Sequence, residues 1–250
     1  MKLFQTMTLS TGSMVKIHNG NLAIDAYLAM PKAAGLFPAV VVLQEIFGVN
    51  YHIRDVTDRI AQLGYVAIAP ALYQRLAPEY ETGYSEADIK QGRIYKEQTR
   101  AEELLSDIQA AIDYLKTLPQ VKPALGCIGF CFGGHVAYLA ATLPEIKATA
   151  CFYGANIPNW SPGGGTATID RTGAIQGTLS AFFGAEDASI PPEHIEAIES
   201  ALARHQVPHQ VFVYPHAGHG FFCDQRGSYS PIAAADAWKQ VQTLFSESLH

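Results

Sequence analysis

The sequence predicts an α/β protein with a mostly parallel central sheet, helices on both faces and an antiparallel strand pair at its start. Three observations carry this. From residue 37 onward, short β-branched runs alternate with longer amphipathic segments, the rhythm of a parallel sheet with crossover helices. The runs are apolar at successive positions, as strands buried on both faces require. The early stretch "NLAIDAYLAMP" (21–31) instead alternates roughly through Leu22, Ile24, Tyr27 and Leu28, the pattern of a strand with one covered face. At 250 residues and 48% hydrophobic, the chain supports a sizeable core and suits one domain over 1–250 better than two.

The parallel strands are expected in "FPAVVVLQE" (37–45), "YVAIAP" (65–70), "ALGCIGFC" (124–131), "ATACFYG" (148–154), "TLSAFFGAED" (178–187) and "HQVFVYPHAG" (209–218). Helical spacing falls at 52–63, 99–117, 133–143, 191–205 and 231–247. The fourth opens at "PPEH", with proline in the first turn and an acid beside it, both favoured at a helix start. Two segments break the rhythm. "YQRLAPEYETGYSEADIKQGR" (73–93) is polar and aromatic, and "NIPNWSPGGGTATIDRTGAIQG" (156–177) is rich in Gly, Pro, Ser and Thr, so both are expected to be long loops. The "GGG" in the second is expected to supply flexibility and not phosphate binding.

Net charge is −6 with scattered lysines and arginines, which gives no electrostatic footprint for nucleic acid. The opening "MKLFQTMTLSTGSM" has no apolar signal core, and no stretch reaches about 18 apolar residues. A soluble cytoplasmic protein with no membrane partner is therefore expected. The four cysteines, Cys127, Cys131, Cys151 and Cys223, contain no C-x-x-C; reduced thiols fit better than disulfides or a zinc site. Cys127 and Cys151 lie inside strand runs, where a thiol is a small buried apolar group.

Cys131 is different. It stands at the corner of "GCIGFCFGGHVAYLAA" (126–141), where a strand run meets a helical one, with Gly129 before it and Gly133 and Gly134 after it. A sharp strand-to-helix turn strains the residue at its tip and crowds its neighbours, so small residues on both sides mark a nucleophile elbow. The helix N-terminus also aims free N–H groups and partial positive charge at the side chain. A free thiol titrates near about 8.5, and such a position brings the reactive thiolate within reach of neutral pH.

A nucleophile needs a base and an orienting acid. Asp187 follows an apolar strand in "FFGAEDASIPP", with Glu186 beside it. His219 in "VYPHAGHGFF" lies between two glycines, unlike the competing His216. The order nucleophile, acid, histidine is the one found where such elbows serve acyl transfer. Backbone N–H groups of Phe132 and Ile46, the latter in the loop after "VVVLQ", are the expected oxyanion donors. His216, His219 and Cys223 match no zinc spacing, so no metal is expected.

With those residues placed, the chain resembles the dienelactone hydrolase family, cysteine members of the α/β-hydrolase fold, over about residues 20–245. The likeness runs through "QEIFGVN", "YQRLAPE", "GFCFGG", "GAEDASIP" and "HAGHGF". It implies a Cys131, Asp187, His219 triad and a carboxylate, Glu45, at the pocket floor that contacts the resting thiol. Arg75 is implied as a binder of the substrate's carboxylate, with Tyr153 and Phe47 lining the pocket. Two positions depart from the pattern: Gly220 and Cys223 stand where the family has serine and a second arginine. Arg226, three residues further on, is the candidate replacement. The 156–177 loop is also longer than the family's.

The implied activity is hydrolysis of a small activated ester or enol-lactone through a thioester, with no cofactor, by a monomer or small homo-oligomer. The alternatives are a broad carboxylesterase of the same family and a ligand-binding or thiol redox-sensing protein with little turnover.

Overall fold

A computed structural model describes residues 12–250; most of the N-terminal stretch read above for export lies outside them. The first hairpin pairs β1 (Ser13–Asn19) with β2 (Leu22–Ala29), turning at Gly20, whose φ of 58° suits glycine. There follow β3 (Phe37–Leu43), α1 (Tyr51–Gln62), β4 (Val66–Pro70), α2 (Glu86–Gln98), α3 (Ala101–Thr117), β5 (Val121–Phe130) and α4 (Phe132–Ala140). The chain continues through β6 (Ile146–Phe152), a 3-10 turn at Thr168–Ala174, β7 (Thr178–Gly184), α5 (Pro192–Arg204), β8 (His209–Tyr214) and α6 (Pro231–Leu249).

The described strands form one sheet in the order β1-β2-β4-β3-β5-β6-β7-β8. β2 pairs antiparallel with β1 and β4, and every pair from β4 to β8 is parallel. The expected architecture is thus the observed one. Val40, Val41, Val42, Ala67, Ile68, Ile128 and Phe182 are fully buried, which explains why these strands read as continuous apolar runs. Edge strand β8 has no fully buried residue, and Val213 on it is exposed.

Strand order reverses at β3, with β4 on one side and β5 on the other, and the crevice at such a switch point is where α/β sheets place ligands. The loops leaving β3, β5, β7 and β8 at their C-terminal ends carry Glu45 and Ile46, Cys131, Asp187 and His219 respectively. No helix among the described residues is long and apolar enough to cross a membrane.

The expected loop at 73–93 is a loop only in its first part. From Glu86 the chain is helical, opened by a capping box in which the Ser85 side chain accepts from the Asp88 N–H and Asp88 accepts from the Ser85 N–H. Of this helix only Gly92 is buried, so no apolar stripe announces it. The 156–177 segment is irregular apart from its 3-10 turn, which is tied down by hydrogen bonds from Thr168 to His135 and between Tyr138 and Thr172.

Candidate active site

The corner at Cys131 has the backbone that the flanking glycines suggest. Cys131 sits at φ 55°, ψ −115°, as the residue before α4, a conformation that costs a non-glycine residue about 1–3 kcal/mol. A Cβ on Gly129 would strike the carbonyl of Gly133, and one on Gly133 would strike the carbonyls of Leu43 and Gln44. Only hydrogen fits at either position, so the corner packs directly against β3. Cys131 N–H donates to Phe152 O at 3.0 Å and its carbonyl accepts from His135 N–H at 3.1 Å, which pins both sides of the turn.

The Cys131 Sγ lies 3.1 Å from His219 Nε2, and His219 Nδ1 lies 2.7 Å from Asp187 Oδ2. A carboxylate acceptor on Nδ1 makes that nitrogen the donor and leaves Nε2 to face sulfur. Asp187 is held by the Ser189 N–H, which donates to its Oδ1 at 2.8 Å, and its side chain is fully buried. Burial opposes charge on His219, but the neighbouring Cys131 and Asp187 outweigh it and push the imidazole up to about 10. The 3.1 Å contact places Nε2 where it can take the proton of the Cys131 sulfur and return it. His216, the competing histidine, is exposed and pairs with Glu186 at 3.1 Å, away from this contact.

Ile46 and Phe132 line the same cavity as Cys131 and His219, a space of about 350 Å³. Phe132 is the first residue of α4, so its N–H has no intrahelical acceptor. Phe47 lines the cavity too.

Glu45 does not touch the thiol. It is buried, and its Oε1 accepts from Arg226 Nη1 at 2.9 Å. Arg226 reaches it because residue 220 is glycine: Gly220 has φ 81°, and a Cβ there would occupy the position of the guanidinium. The departure from the family pattern at 220 and the arginine at 226 are therefore one feature. His52 and Cys223 lie beside Glu45, with donor atoms within 4.8 Å of one another. Burial holds the His52 imidazole below its ordinary value and pushes the Cys223 thiol up to about 12.

Two expected substrate contacts fall elsewhere. Arg75 is not on the cavity wall; its guanidinium is held by Asp107 through two bonds of 2.7 and 2.9 Å. A bidentate arginine–carboxylate pair of this kind sets the direction of the whole side chain. Tyr153 is fully buried behind His219, with ring centroids 5.3 Å apart, and supports the imidazole from outside the cavity.

Sequence reading missed His135, Arg93 and Lys96, all of which line the cavity. His135 Nδ1 donates to Ala155 O at 2.9 Å, so its Nε2 accepts from Thr168 at 2.7 Å. Burial keeps this histidine neutral down to about 4. Below about pH 6.5 the unfolded chain takes up a proton that the folded chain refuses until about pH 4, so folding stability falls across that window. At about 1.4 kcal/mol per unit, the loss is on the order of 3 kcal/mol. His135→Gln should be less stable at pH 7 and should lose less on acidification; urea melts of both proteins at pH 7 and pH 4.5 read the difference, and parallel slopes would refute it.

The dienelactone hydrolase family profile matches residues 24–249. A protein of Synechocystis sp. provisionally assigned as a carboxymethylenebutenolidase is 58% identical, over 95% of this chain and 97% of its own. A Bradyrhizobium protein provisionally named a 2-oxo-3-(5-oxofuran-2-ylidene)propanoate lactonase is 33% identical over 86% of each chain. Among solved structures, a Klebsiella pneumoniae protein provisionally described as a dienelactone hydrolase superposes with TM-score 0.87 at 31% identity, covering 96% of this chain and all of the other. With this sheet order and this match along nearly its whole length, the chain belongs to the dienelactone hydrolase family, whose members are hydrolases acting on esters or lactones.

Proposed function

We propose that the protein hydrolyses a small enol-lactone or activated ester through a Cys131 thioester, with His219 as acid and base and Asp187 fixing its tautomer. The observation that carries this reading is the contact between Cys131 Sγ and His219 Nε2 at 3.1 Å, with Asp187 on the far nitrogen at 2.7 Å.

In the first half-reaction His219 Nε2 takes the thiol proton and sulfur attacks the carbonyl carbon. A C–S bond forms, and the carbonyl electron pair moves to oxygen between the N–H groups of Phe132 and Ile46. Collapse of this intermediate breaks the C–O bond, and the departing oxygen receives the proton from Nε2. In the second half a water gives its proton to Nε2 and attacks the thioester, which returns the thiol and releases the acid. A thiolate leaves more readily than an amide nitrogen, so amides revert where enol-lactones go forward. Glu45 enters this scheme through Arg226, whose charge it balances, and not as the group that deprotonates sulfur.

The broad-esterase reading has one observation in its favour: Arg75 is occupied by Asp107. Parallel assays of a dienelactone and a neutral p-nitrophenyl ester separate the two. The lactonase reading expects the dienelactone to be preferred by a factor of ten or more in kcat/KM; turnover of the neutral ester alone would leave the esterase. Acid quench followed by intact-mass measurement should show an acyl adduct on the wild type that hydroxylamine removes.

A further inference from the structure

We propose that one face of α2 is an anion-binding subsite in which Arg93 and Lys96 hold a carboxylate carried by the substrate, an inference that rests on the hydrolase reading above. Ile89, Arg93 and Lys96 stand at i, i+4 and i+7 of α2, one stripe of a helix, and all three line the cavity that holds Cys131.

Charge distinguishes this wall from the rest of the molecule. The chain carries a formal charge of −6, yet the cavity is lined by three cations, Arg93, Lys96 and Arg226, and by one carboxylate, Glu97. Arg226 is already balanced by buried Glu45. Neither Arg93 nor Lys96 is in an ion pair among the described residues. Lys96 is instead steered by the Trp160 ring, whose centroid lies 4.6 Å from its Nζ. With Arg226 matched by Glu45, the two remaining cations face the single lining carboxylate, Glu97, so the α2 wall keeps a net positive charge.

The stripe is also held in register with the reacting end. A Cβ on Gly92 would strike the carbonyl of Ile46, so α2 lies directly on the residue proposed to offer an oxyanion N–H. The Gly92 carbonyl accepts from Tyr73 Oη at 3.3 Å. A ligand whose carboxylate meets the fork of Arg93 and the ammonium of Lys96 would have its distance to the Ile46 N–H set by this contact. The substrate class so defined is an acid that bears an ester or lactone, small enough for about 350 Å³.

The experiment compares an enol-lactone carboxylic acid with its own methyl ester, which keeps the reacting group and removes the charge. In Arg93→Gln/Lys96→Gln the ratio of kcat/KM for the acid to that for the methyl ester should fall about 10- to 100-fold, most of it in KM for the acid. Raising ionic strength should shrink the wild-type ratio and leave that of the double variant nearly flat. An unchanged ratio in the double variant, or a larger change in Arg75→Gln, would overturn the proposal.

Should the wild type cleave neither lactone, the lactonase reading fails on its own. The subsite is then read from p-nitrophenyl hemisuccinate against p-nitrophenyl butyrate, with the same fall in ratio expected and a flat ratio refuting it. Circular dichroism of the double variant confirms its fold, since both side chains sit outside the core.

Discussion

Cys131→Ala should fold as the wild type does and lose roughly 10⁴- to 10⁶-fold in kcat/KM for an enol-lactone, the scale on which a covalent nucleophile is missed. Alanine meets the same strain at φ 55°, and the close approach of Gly129, Gly133 and β3 is untouched, so the melting temperature should move by only a few degrees. Cys131→Ser is the more discriminating change. It restores a nucleophile of the right reach but one that depends on its base throughout, and it should recover part of the lost activity through an acyl ester that neutral hydroxylamine, unlike the wild-type thioester, does not remove. Residual activity of Cys131→Ala within tenfold of the wild type would place the chemistry elsewhere.

Arg226→Met should be the most destabilising single change near the cavity. Glu45 is fully buried and Arg226 Nη1 is the one partner of its Oε1 among the described residues, while its Oε2 has none. Removing the arginine leaves a carboxylate in the interior without a counter-charge, for which the usual loss is about 3–5 kcal/mol, or roughly 6–20 °C in a chain of this size. Glu45→Gln combined with Arg226→Met should regain much of that loss, because no isolated charge remains. Gly220→Ser should act in the same direction and more weakly, by displacing the guanidinium from the space it fills. Urea unfolding of the three variants tests the series; an Arg226→Met as stable as the wild type would refute the pairing as a source of stability.

The parts that the sequence made legible are those whose signal is local. Each parallel strand is a short apolar run because both sheet faces are covered, and Gly129 and Gly133 announce the corner because backbone collides there with anything larger. Asp187 and His219 could be chosen over Glu186 and His216 from position after a strand and from flanking glycines, and the structure separates the pairs by burial.

What stayed hidden depends on partners far along the chain. Whether Arg75 faces the cavity is decided by Asp107, 32 residues away, and whether Glu45 meets sulfur or guanidinium is decided by Arg226, 181 residues away. α2 escaped for another reason: a helix that buries a single glycine has no apolar period to detect, and its one local sign was the Ser85–Asp88 cap in "SEAD".

That thin attachment of α2 has a consequence for how such an enzyme changes over time. Because almost none of its side chains enter the core, most substitutions along it leave folding free energy nearly untouched, so the helix is free to drift where the sheet is not. Its hydrogen-bonded turns should also open at far lower free energy than the strands beneath. Substrate preference and foldedness are thus written on separate parts of the chain, and selection can rework the first without having to rescue the second.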